Sequence, residues 1–523
     1  MKTEPSKLLL VSAGAIIFNI IFWNEKLGVN TILFDIFICS SVIFLFPYSL
    51  KNNSSRWLLV AHLITAATVI IHNTVLSKIS FSVTMLLFIS FSQYLHRSVW
   101  YASGSALMNY IHVIPNFFHE LKRINRKGIR KVGWSGQIRI LVIPFCILFV
   151  FYIIYSSANT VFSQITSEIS AAVERWFSRF FDWFSPERFG FFLLGIFVVG
   201  GLILRNTNTF FSDADLRQQN DLSRKKNRLK KWRQSPFADL LSLIAGKTVS
   251  SIMALKNEFK TGYISLVLLN MLLLFINLID VRYVWLHFNF SKGSNMAAYV
   301  HEGAGLLILS IVLAMLLLLF FFRGNLNFYK KNKWLRYGAY LWILQNLFLV
   351  LSVFMRDYYY ISHYGLAYKR IGLLFFLAMV LAGLFTVFLK IYYTKTTYYL
   401  LRLNAWVAVL LLVFASAIHW DETIGRYNIA RISTIPPDIP FLLSLSDKTL
   451  PLLEENQDVL KTENDYTFSY GNQFYNTSPV KFLAYREKEF LKKQNTYTWL
   501  SWNLADAQVK NALTQRTHIS QIK

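Results

Sequence analysis

The chain has 523 residues, a hydrophobic fraction of 54%, an aromatic fraction of 17% and a mean hydropathy of +0.39. These values exclude an ordinary soluble globular protein. The formal net charge of +26 does not indicate a nucleic-acid partner, because the charge is spread over the connections between apolar segments and no base-reading motif accompanies it.

Apolar segments of about 20 residues, the length needed to cross a bilayer, recur along the first four fifths of the chain. In order they are 8–23, 31–50, 57–76, 80–96, 140–157, 189–205, 261–280, 303–323, 336–355, 371–391 and 403–418. Their composition is continuously apolar and not alternating, which favours helices over a barrel. The sequence therefore predicts an all-α integral membrane protein, with a bundle of about 11 transmembrane helices in residues 1–418.

Basic residues are concentrated on every second connection. With the N-terminus in the cytoplasm, the inner segments hold 32 Lys and Arg against 7 Asp and Glu. Such a bias orients helices during insertion. It predicts basic cytoplasmic loops at 119–139 and 205–260 and, as a partner, the anionic lipids of the cytoplasmic face.

Three stretches between the spans need separate interpretations. Residues 98–118 are predicted as one helix lying along the inner surface. Within 165–185, aromatic residues recur at helical intervals, which predicts an amphipathic helix in the outer interface. Residues 237–255 are nearly long enough to span but contain Asp239 and Lys247, and are predicted to be interfacial. The first and third stretches leave the helix count open.

The composition becomes that of a soluble segment from His419 onward. Residues 419–523 are predicted to form a small helical tail outside the membrane, with helices at 479–493 and 496–513. This tail is a candidate surface for an envelope protein partner. Cys39 and Cys146 both fall in predicted spans, so no disulfide framework is expected.

Polar residues in the later spans lie mainly toward their outer ends. Asn270, Asn277 and Asp280 are spaced i, i+7 and i+10, which places them on one face of a helix. With the polar residues of the following spans they predict an outward-opening polar cleft. Its candidate residues are Asn270, Asn277, Asp280, His301, Glu302, Gln345, Asn346, Arg356, Lys369, Arg370 and Asp421.

Three interpretations of these residues stay open. They could anchor helix ends and form interhelical hydrogen bonds. They could form an enzyme site, with Asp280 or Glu302 as general base and Arg356, Lys369 or Arg370 holding an anionic group. They could also bind a cation or proton for transport, although a carrier site belongs nearer the midplane.

Known catalytic and cofactor motifs are missing from the sequence. No serine elbow, phosphate-binding loop, dinucleotide fingerprint or kinase signature occurs. His301 and Glu302 alone do not make a zinc site, because further ligands at a defined spacing would be required. We therefore predict neither a cofactor nor a metal.

Several short strings are similar to those of a bacterial membrane family. They are Trp23–Asn30 leading to Phe34–Asp35, Asn270–Asp280 followed by Val300–Gly303, and Tyr340–Asn346 followed by Tyr364–Gly372. Together they resemble the polytopic families of domains of unknown function 4153 and 4173, from the first span to about Leu445. Ala367 stands where the family pattern usually has Thr. The resemblance implies a Gram-negative inner membrane and a periplasmic C-terminus, and it carries no activity.

The leading hypothesis is a multi-pass inner-membrane protein whose outward cleft binds a small or lipid-linked ligand. It would act as a ligand-binding, scaffold, sensor or transport component of the cell envelope. The alternative is a membrane enzyme acting on a lipid or glycan at the outer face of the inner membrane. The sequence identifies neither the substrate nor the oligomeric state.

Overall fold

The computed structural model describes residues 5–125, 185–224, 254–286 and 296–522, with gaps at 323, 330, 462, 463 and 472, and parts of 144–170. Seven of the described helices are long and apolar enough to cross a membrane. The all-α membrane class is confirmed in this form, whereas the count of about eleven is not established. The predicted span 140–157 is only partly described. Three further predictions fall outside the described residues: the interfacial stretch at 237–253, the aromatic stripe after residue 170, and most of both basic loops.

The elements before residue 420 form a helical bundle. They are α1 (Pro5–Phe22), α2 (Val29–Leu45), α3 (Asn53–Ile71), α4 (Val75–Gln93), α5 (Val99–Ile111), α6 (Val113–Asn125), α7 (Pro186–Ile203), α8 (Phe210–Arg217), α9 (Ala254–Asp280), α10 (Met296–Phe321), α11 (Asn332–Tyr364), α12 (Tyr368–Tyr392) and α13 (Thr397–Ser416). A π-helical segment, Val281–Leu286, continues α9. Short 3-10 helices occupy Ser49–Lys51 and Asn325–Phe328.

The elements after residue 419 form the C-terminal segment, here called the tail. They are α14 (Trp420–Ile429), α15 (Ile439–Ser444), α16 (Leu450–Glu455), α17 (Gln457–Leu460), β1 (Tyr466–Tyr470), β2 (Gln473–Thr477), α18 (Pro479–Gln494) and α19 (Leu504–Ile522). Single 3-10 turns lie at Asp447–Thr449 and Trp499–Ser501.

The bundle has two hydrophobic cores. The first lies among α1 to α5 and α7 and includes Ile38, Leu58 and Phe88, all fully buried. The second lies among α9 to α12 and includes Ile311 and Leu335. Helix α13 joins them, because it packs on α12 and also on α3, α4 and α5.

The predicted surface helix 98–118 is instead two helices, α5 and α6, which meet at His112. Helix α5 packs against α4 and α7 inside the bundle. Its buried face carries the small residues Ala102, Ser105 and Ala106, and Ser90 donates a hydrogen bond to the carbonyl of Ala102 at 2.7 Å. Small side chains let helix backbones approach closely, which a hydropathy argument does not detect.

The tail has its own core. The sequence predicts a helical tail, but the structure also contains two strands there. Strands β1 and β2 form an antiparallel hairpin, with Phe468 opposite Tyr475. Phe468 stacks on Phe482 of α18 at a ring-centroid distance of 4.4 Å.

The last two helices compare differently with the prediction. Helix α18 matches the predicted helix 479–493, whereas α19 begins later than the predicted residue 496. Its start is fixed by Asn503, whose side chain accepts the backbone N–H of Asp506 at 3.0 Å.

The tail docks on one end of the bundle, which we call the tail side. The backbone N–H of Val29 donates to the carbonyl of Trp502 at 3.0 Å, and Lys26 forms an ion pair with Asp506. A side chain at Gly28 would meet the Trp502 carbonyl oxygen at 2.5 Å, so this close approach requires glycine. Burial raises the pKa of Asp506, but the opposing effects of Lys26 and other donors bring it below the ordinary value.

The opposite end, the loop side, is organised around Asp215 of α8. Its carboxylate accepts the backbone N–H groups of Arg97 at 2.7 Å and Ser98 at 3.0 Å and the Tyr398 hydroxyl at 2.5 Å, and contacts His96 at 3.2 Å. Burial raises the pKa of Asp215, yet these hydrogen bonds outweigh burial and lower it overall. One carboxylate thus joins three segments that the charge count assigned to the same side.

The substitution Arg486→Lys tests the core of the tail. The Arg486 guanidinium donates to the carbonyls of Leu443 and Leu445 and to Asp447. An ammonium group cannot make all of these bonds, so we expect a loss of about 2–3 kcal/mol and faster proteolysis of the tail in the full-length protein. Lys488→Gln, an exposed position on the same helix, is the control; equal proteolysis of both variants would contradict the assignment.

A second test uses His419, which links the bundle to α14. Its Nδ1 accepts the backbone N–H of Glu422 at 3.2 Å, and burial first, then Lys448, lowers the pKa of His419 to about 4. The unfolded chain takes up this proton near pH 6.5. The contribution of neutral His419 to the free energy of unfolding is therefore fully present above that pH and is lost as the pH falls toward 4.

We expect acidification from pH 7 to 5 to lower the unfolding free energy by about 2 kcal/mol through this group. His419→Gln, which keeps the hydrogen-bond acceptor, should reduce that loss in chemical unfolding followed by tryptophan fluorescence. His363→Gln, at an exposed histidine, should leave the loss unchanged. An identical pH dependence in wild-type protein and His419→Gln would refute the assignment.

Candidate functional site

The amides predicted to line a cleft form a buried seam between α9 and α11. Gln345 donates to the Asn270 side-chain oxygen at 2.8 Å, and Asn277 donates to the Gln345 carbonyl at 3.2 Å. Asn270 also donates to the carbonyl of Gly338 at 3.0 Å. The predicted shared face of Asn270 and Asn277 is therefore present, and it is used for interhelical hydrogen bonds.

Asp280 and Arg356 extend the same seam toward the tail side. Their ion pair measures 2.5 Å, and the two side chains are 5% and 9% exposed. Asn346 bonds the carbonyl of Trp342 in its own helix at 2.8 Å. Asp280 and Arg356 thus join α9 to α11 inside the helix packing, whereas the Asn346 bond stays within α11.

An open groove lies beside this seam, between α10, α11 and α12. Its volume is about 880 Å³. Lys369 and Arg370, which belong to the predicted polar cleft, line this groove. Asp357, which does not belong to the predicted cleft, lines it as well. The lining residues are Gly305, Ile308, Asp357, Tyr360, Ala367, Tyr368, Lys369, Arg370, Gly372, Leu373, Phe376 and Phe441.

The polar part of the groove is at the start of α12. Arg370 donates to the carbonyls of Tyr364, at 2.9 Å, and Gly365, and its guanidinium lies 4.2 Å from the ring centre of Tyr360. Gly365 has φ +78°, a left-handed conformation that glycine adopts without strain. This turn fixes Arg370 at the wall of the groove, while the Lys369 side chain is exposed.

Asp357 lies at the floor of the groove and is 1% exposed. Its Oδ2 atom has no hydrogen-bond partner among the described residues. A buried carboxylate oxygen normally has a donor. Asp357 and the nearby cations therefore give the groove an acceptor at its base and positive charge at its rim.

The remaining predicted residues lie elsewhere or are only partly described. His301 and Glu302 belong to α10, one turn before Gly305, and their side chains lie outside the described residues. Asp421 accepts a hydrogen bond from Ser446 at 2.8 Å and does not line the groove.

The described fold and groove define a polytopic α-helical membrane protein with a cationic groove at one end of its bundle. The family model described as "Domain of unknown function (DUF4153)" matches residues 34–456. The chain belongs to this family, as the sequence resemblance predicted. The match begins at Phe34, after the predicted first span, and ends at Asn456, beyond the predicted end near Leu445. No curated protein and no solved structure matches the chain.

The seam can be tested by substituting Asp280 and Arg356. Arg356→Met would leave a buried carboxylate without its cation, which costs about 3–5 kcal/mol. The double variant Asp280→Leu, Arg356→Met removes both charges and should recover most of the lost thermal stability in detergent. If the single variant melts like the wild type, the ion pair does not hold the two helices together.

Proposed function

We propose that this protein binds an anionic amphiphile in the groove between α10, α11 and α12, as a ligand-binding component of the cell envelope. The observation that carries the proposal is the exposed Lys369 beside the fixed Arg370, at the mouth of an otherwise largely apolar groove. A headgroup with a phosphate would meet both cations at once.

The two cations have different roles in this proposal. Arg370 is held by two carbonyls and the Tyr360 ring, so it supplies a fixed positive charge. Lys369 has an exposed and flexible side chain, and it could close on a headgroup after the ligand enters. Asp357 beneath them could accept a hydrogen bond from a hydroxyl group of the same headgroup.

The rest of the lining suits a hydrocarbon chain. Ile308 of α10 and Leu373 and Phe376 of α12 contribute apolar surface. The volume of about 880 Å³ lies in the range of pockets that hold ligands of a few hundred daltons. A soluble anion would leave this surface without a partner, which favours a lipid or a lipid-linked compound.

The tail takes part in the groove through Phe441, which belongs to α15. Ligand occupancy could therefore affect the position of the tail, and the tail could report it to an envelope partner. This coupling supports a sensor or scaffold role more directly than transport, since the groove lies at the end of the bundle and not at its middle.

The charge distribution supports an orientation for this proposal. The 32 Lys and Arg against 7 Asp and Glu of the inner segments favour a cytoplasmic loop side and N-terminus. The groove and tail would then face the periplasm from a bacterial inner membrane. Anionic lipids would also meet the basic loops on the cytoplasmic face.

A second candidate function is catalysis on the bound lipid or glycan. It rests on Asp357, whose Oδ2 is buried beside the groove without a partner among the described residues. Such a carboxylate could act as a general base. Asp280 is a weaker candidate, because it is engaged with Arg356.

The binding proposal predicts the effect of Lys369→Gln. Protein reconstituted with equal parts of phosphatidylglycerol and phosphatidylcholine is analysed by native mass spectrometry for retained phosphatidylglycerol. Loss of one cation is worth about 1 kcal/mol, so retention should fall about fivefold. Lys481→Gln, an exposed position in the tail, makes the same charge change and should retain lipid like the wild type.

Two further measurements distinguish lipid binding from binding of a free anion and from catalysis. Inorganic phosphate in excess should not displace the lipid if the acyl chain contributes to binding; displacement would indicate a site for a free anion. Equal retention by Lys369→Gln and Lys481→Gln would refute the groove as the binding site. If Asp357→Asn keeps its lipid, while only the wild type converts it to a product of different mass, the enzyme alternative is favoured.

A further inference from the structure

A second polar cluster is buried in the other half of the bundle, away from the groove. Asp35 and Cys39 lie one turn apart on α2, and His62 lies near the middle of α3. His62 Nε2 is 2.7 Å from Asp35 Oδ1, and the Cys39 sulfur is 3.2 Å from the same oxygen. Asp35, Cys39 and His62 are 3%, 8% and 0% exposed.

We infer that Asp35, Cys39 and His62 form a binding site for a divalent transition-metal ion of the zinc type. A carboxylate oxygen, a thiolate and an imidazole nitrogen are the three donor classes that Zn²⁺ uses in proteins. Here one atom of each class lies within 4.8 Å of the other two. The spacing of Asp35 and Cys39 presents both from the same face of one helix.

The present distances are close to those of a metal site. Tetrahedral zinc with ordinary bond lengths separates an imidazole nitrogen and a carboxylate oxygen by roughly 3.4 Å, and a thiolate and a carboxylate by roughly 3.6 Å. The observed separations are 2.7 and 3.2 Å. The Cys39 sulfur and the His62 nitrogen lie within 4.8 Å of each other, so small side-chain movements would admit the ion in place of two hydrogen bonds.

Charge also favours a metal at this depth. A deprotonated Asp35 and a deprotonated Cys39 carry two negative charges, and a divalent ion bound by both gives a neutral site. Neutrality matters because an uncompensated charge inside a bilayer is costly. Binding would release the thiol proton and any proton shared by Asp35 and His62, since metal ligands must be deprotonated.

The surroundings of His62 hold its ring in position for this role. Its Nδ1 lies 3.0 Å from the Thr84 hydroxyl of α4, and Thr84 is in turn 2.8 Å from the Thr65 hydroxyl. This leaves Nε2 directed at Asp35. A hydrogen-bond partner on the other ring nitrogen is the usual arrangement for a histidine that binds a metal.

A simple Asp–His pair would involve Asp35 and His62 only, and the Cys39 thiol would then be no more than an additional hydrogen-bond donor to the same carboxylate. A proton-sharing pair needs no third group, whereas the thiol adds a soft donor on the same side of the shared oxygen. The metal would link α2 to α3, and through Thr84 would depend on α4. It would stabilise the first half of the bundle independently of the groove.

The test is metal analysis of the purified full-length protein, without refolding, by inductively coupled plasma mass spectrometry. We expect about one zinc-type ion per chain, lost in His62→Gln and Cys39→Ala and kept in Cys146→Ala, a matched control for loss of one cysteine. Protein produced with Co²⁺ should show the near-ultraviolet thiolate-to-cobalt absorption, which Cys39→Ala removes and Cys146→Ala retains.

A structural readout accompanies the metal content. Removing the ion with a chelator should lower the melting temperature of the wild type, and re-adding Zn²⁺ should restore it, with no such response in Cys39→Ala. Wild-type protein that carries no stoichiometric metal and shows no cobalt–thiolate absorption would overturn the proposal and leave a buried Asp–His pair. Metal retained in Cys39→Ala and His62→Gln would overturn it equally, because the ion would then lie elsewhere.

Discussion

A polar group in the hydrocarbon core of a membrane has no water to satisfy it, so its partner must come from the protein. This constraint explains several of the interhelical bonds in the described bundle. Asn270 bonds Gln345, Asp280 pairs with Arg356, and Lys390 of α12 donates to the carbonyl of Phe322 at 2.7 Å. Lipid-facing surfaces cannot select one packing of apolar helices, whereas these directed bonds can.

The same constraint identifies where function can reside. The seam between α9 and α11 is closed by the bond from Gln345 to Asn270 and by the ion pair of Asp280 and Arg356, so helix packing accounts for it. Asp357 and Lys369 differ from it in position, because both line the open groove and the Lys369 side chain is exposed there. The groove also brings together bundle and tail through Phe441.

Periodicity along one helix was readable from the sequence, and contacts between helices were not. The i, i+7 and i+10 spacing correctly placed Asn270, Asn277 and Asp280 on one face, because 3.6 residues per turn fix relative directions. Consecutive residues point about 100° apart, which explains why Arg356 enters the seam while its neighbour Asp357 reaches the groove.

The Asp35, Cys39 and His62 cluster could not be predicted, since His62 lies on α3 and Asp35 and Cys39 lie on α2, and the pattern of one helix does not show which residues of another it contacts. Spacing along the chain does not reveal a metal site whose ligands come together from two helices. The hairpin of the tail does carry a sequence signal, because Tyr466, Phe468 and Tyr470 alternate directly before Gly471.

The proposed function requires the groove and the tail to share one side of the membrane and the basic loops to lie on the other. Single cysteines at Ser469 in β1 and at Ser223 after α8, both exposed, would be introduced into a Cys146→Ala background and labelled in intact cells. The reagent would be a membrane-impermeant maleimide, applied after the outer membrane is opened. We predict labelling at Ser469→Cys and none at Ser223→Cys. The reverse pattern would turn the groove toward the cytoplasm and contradict the proposed envelope function.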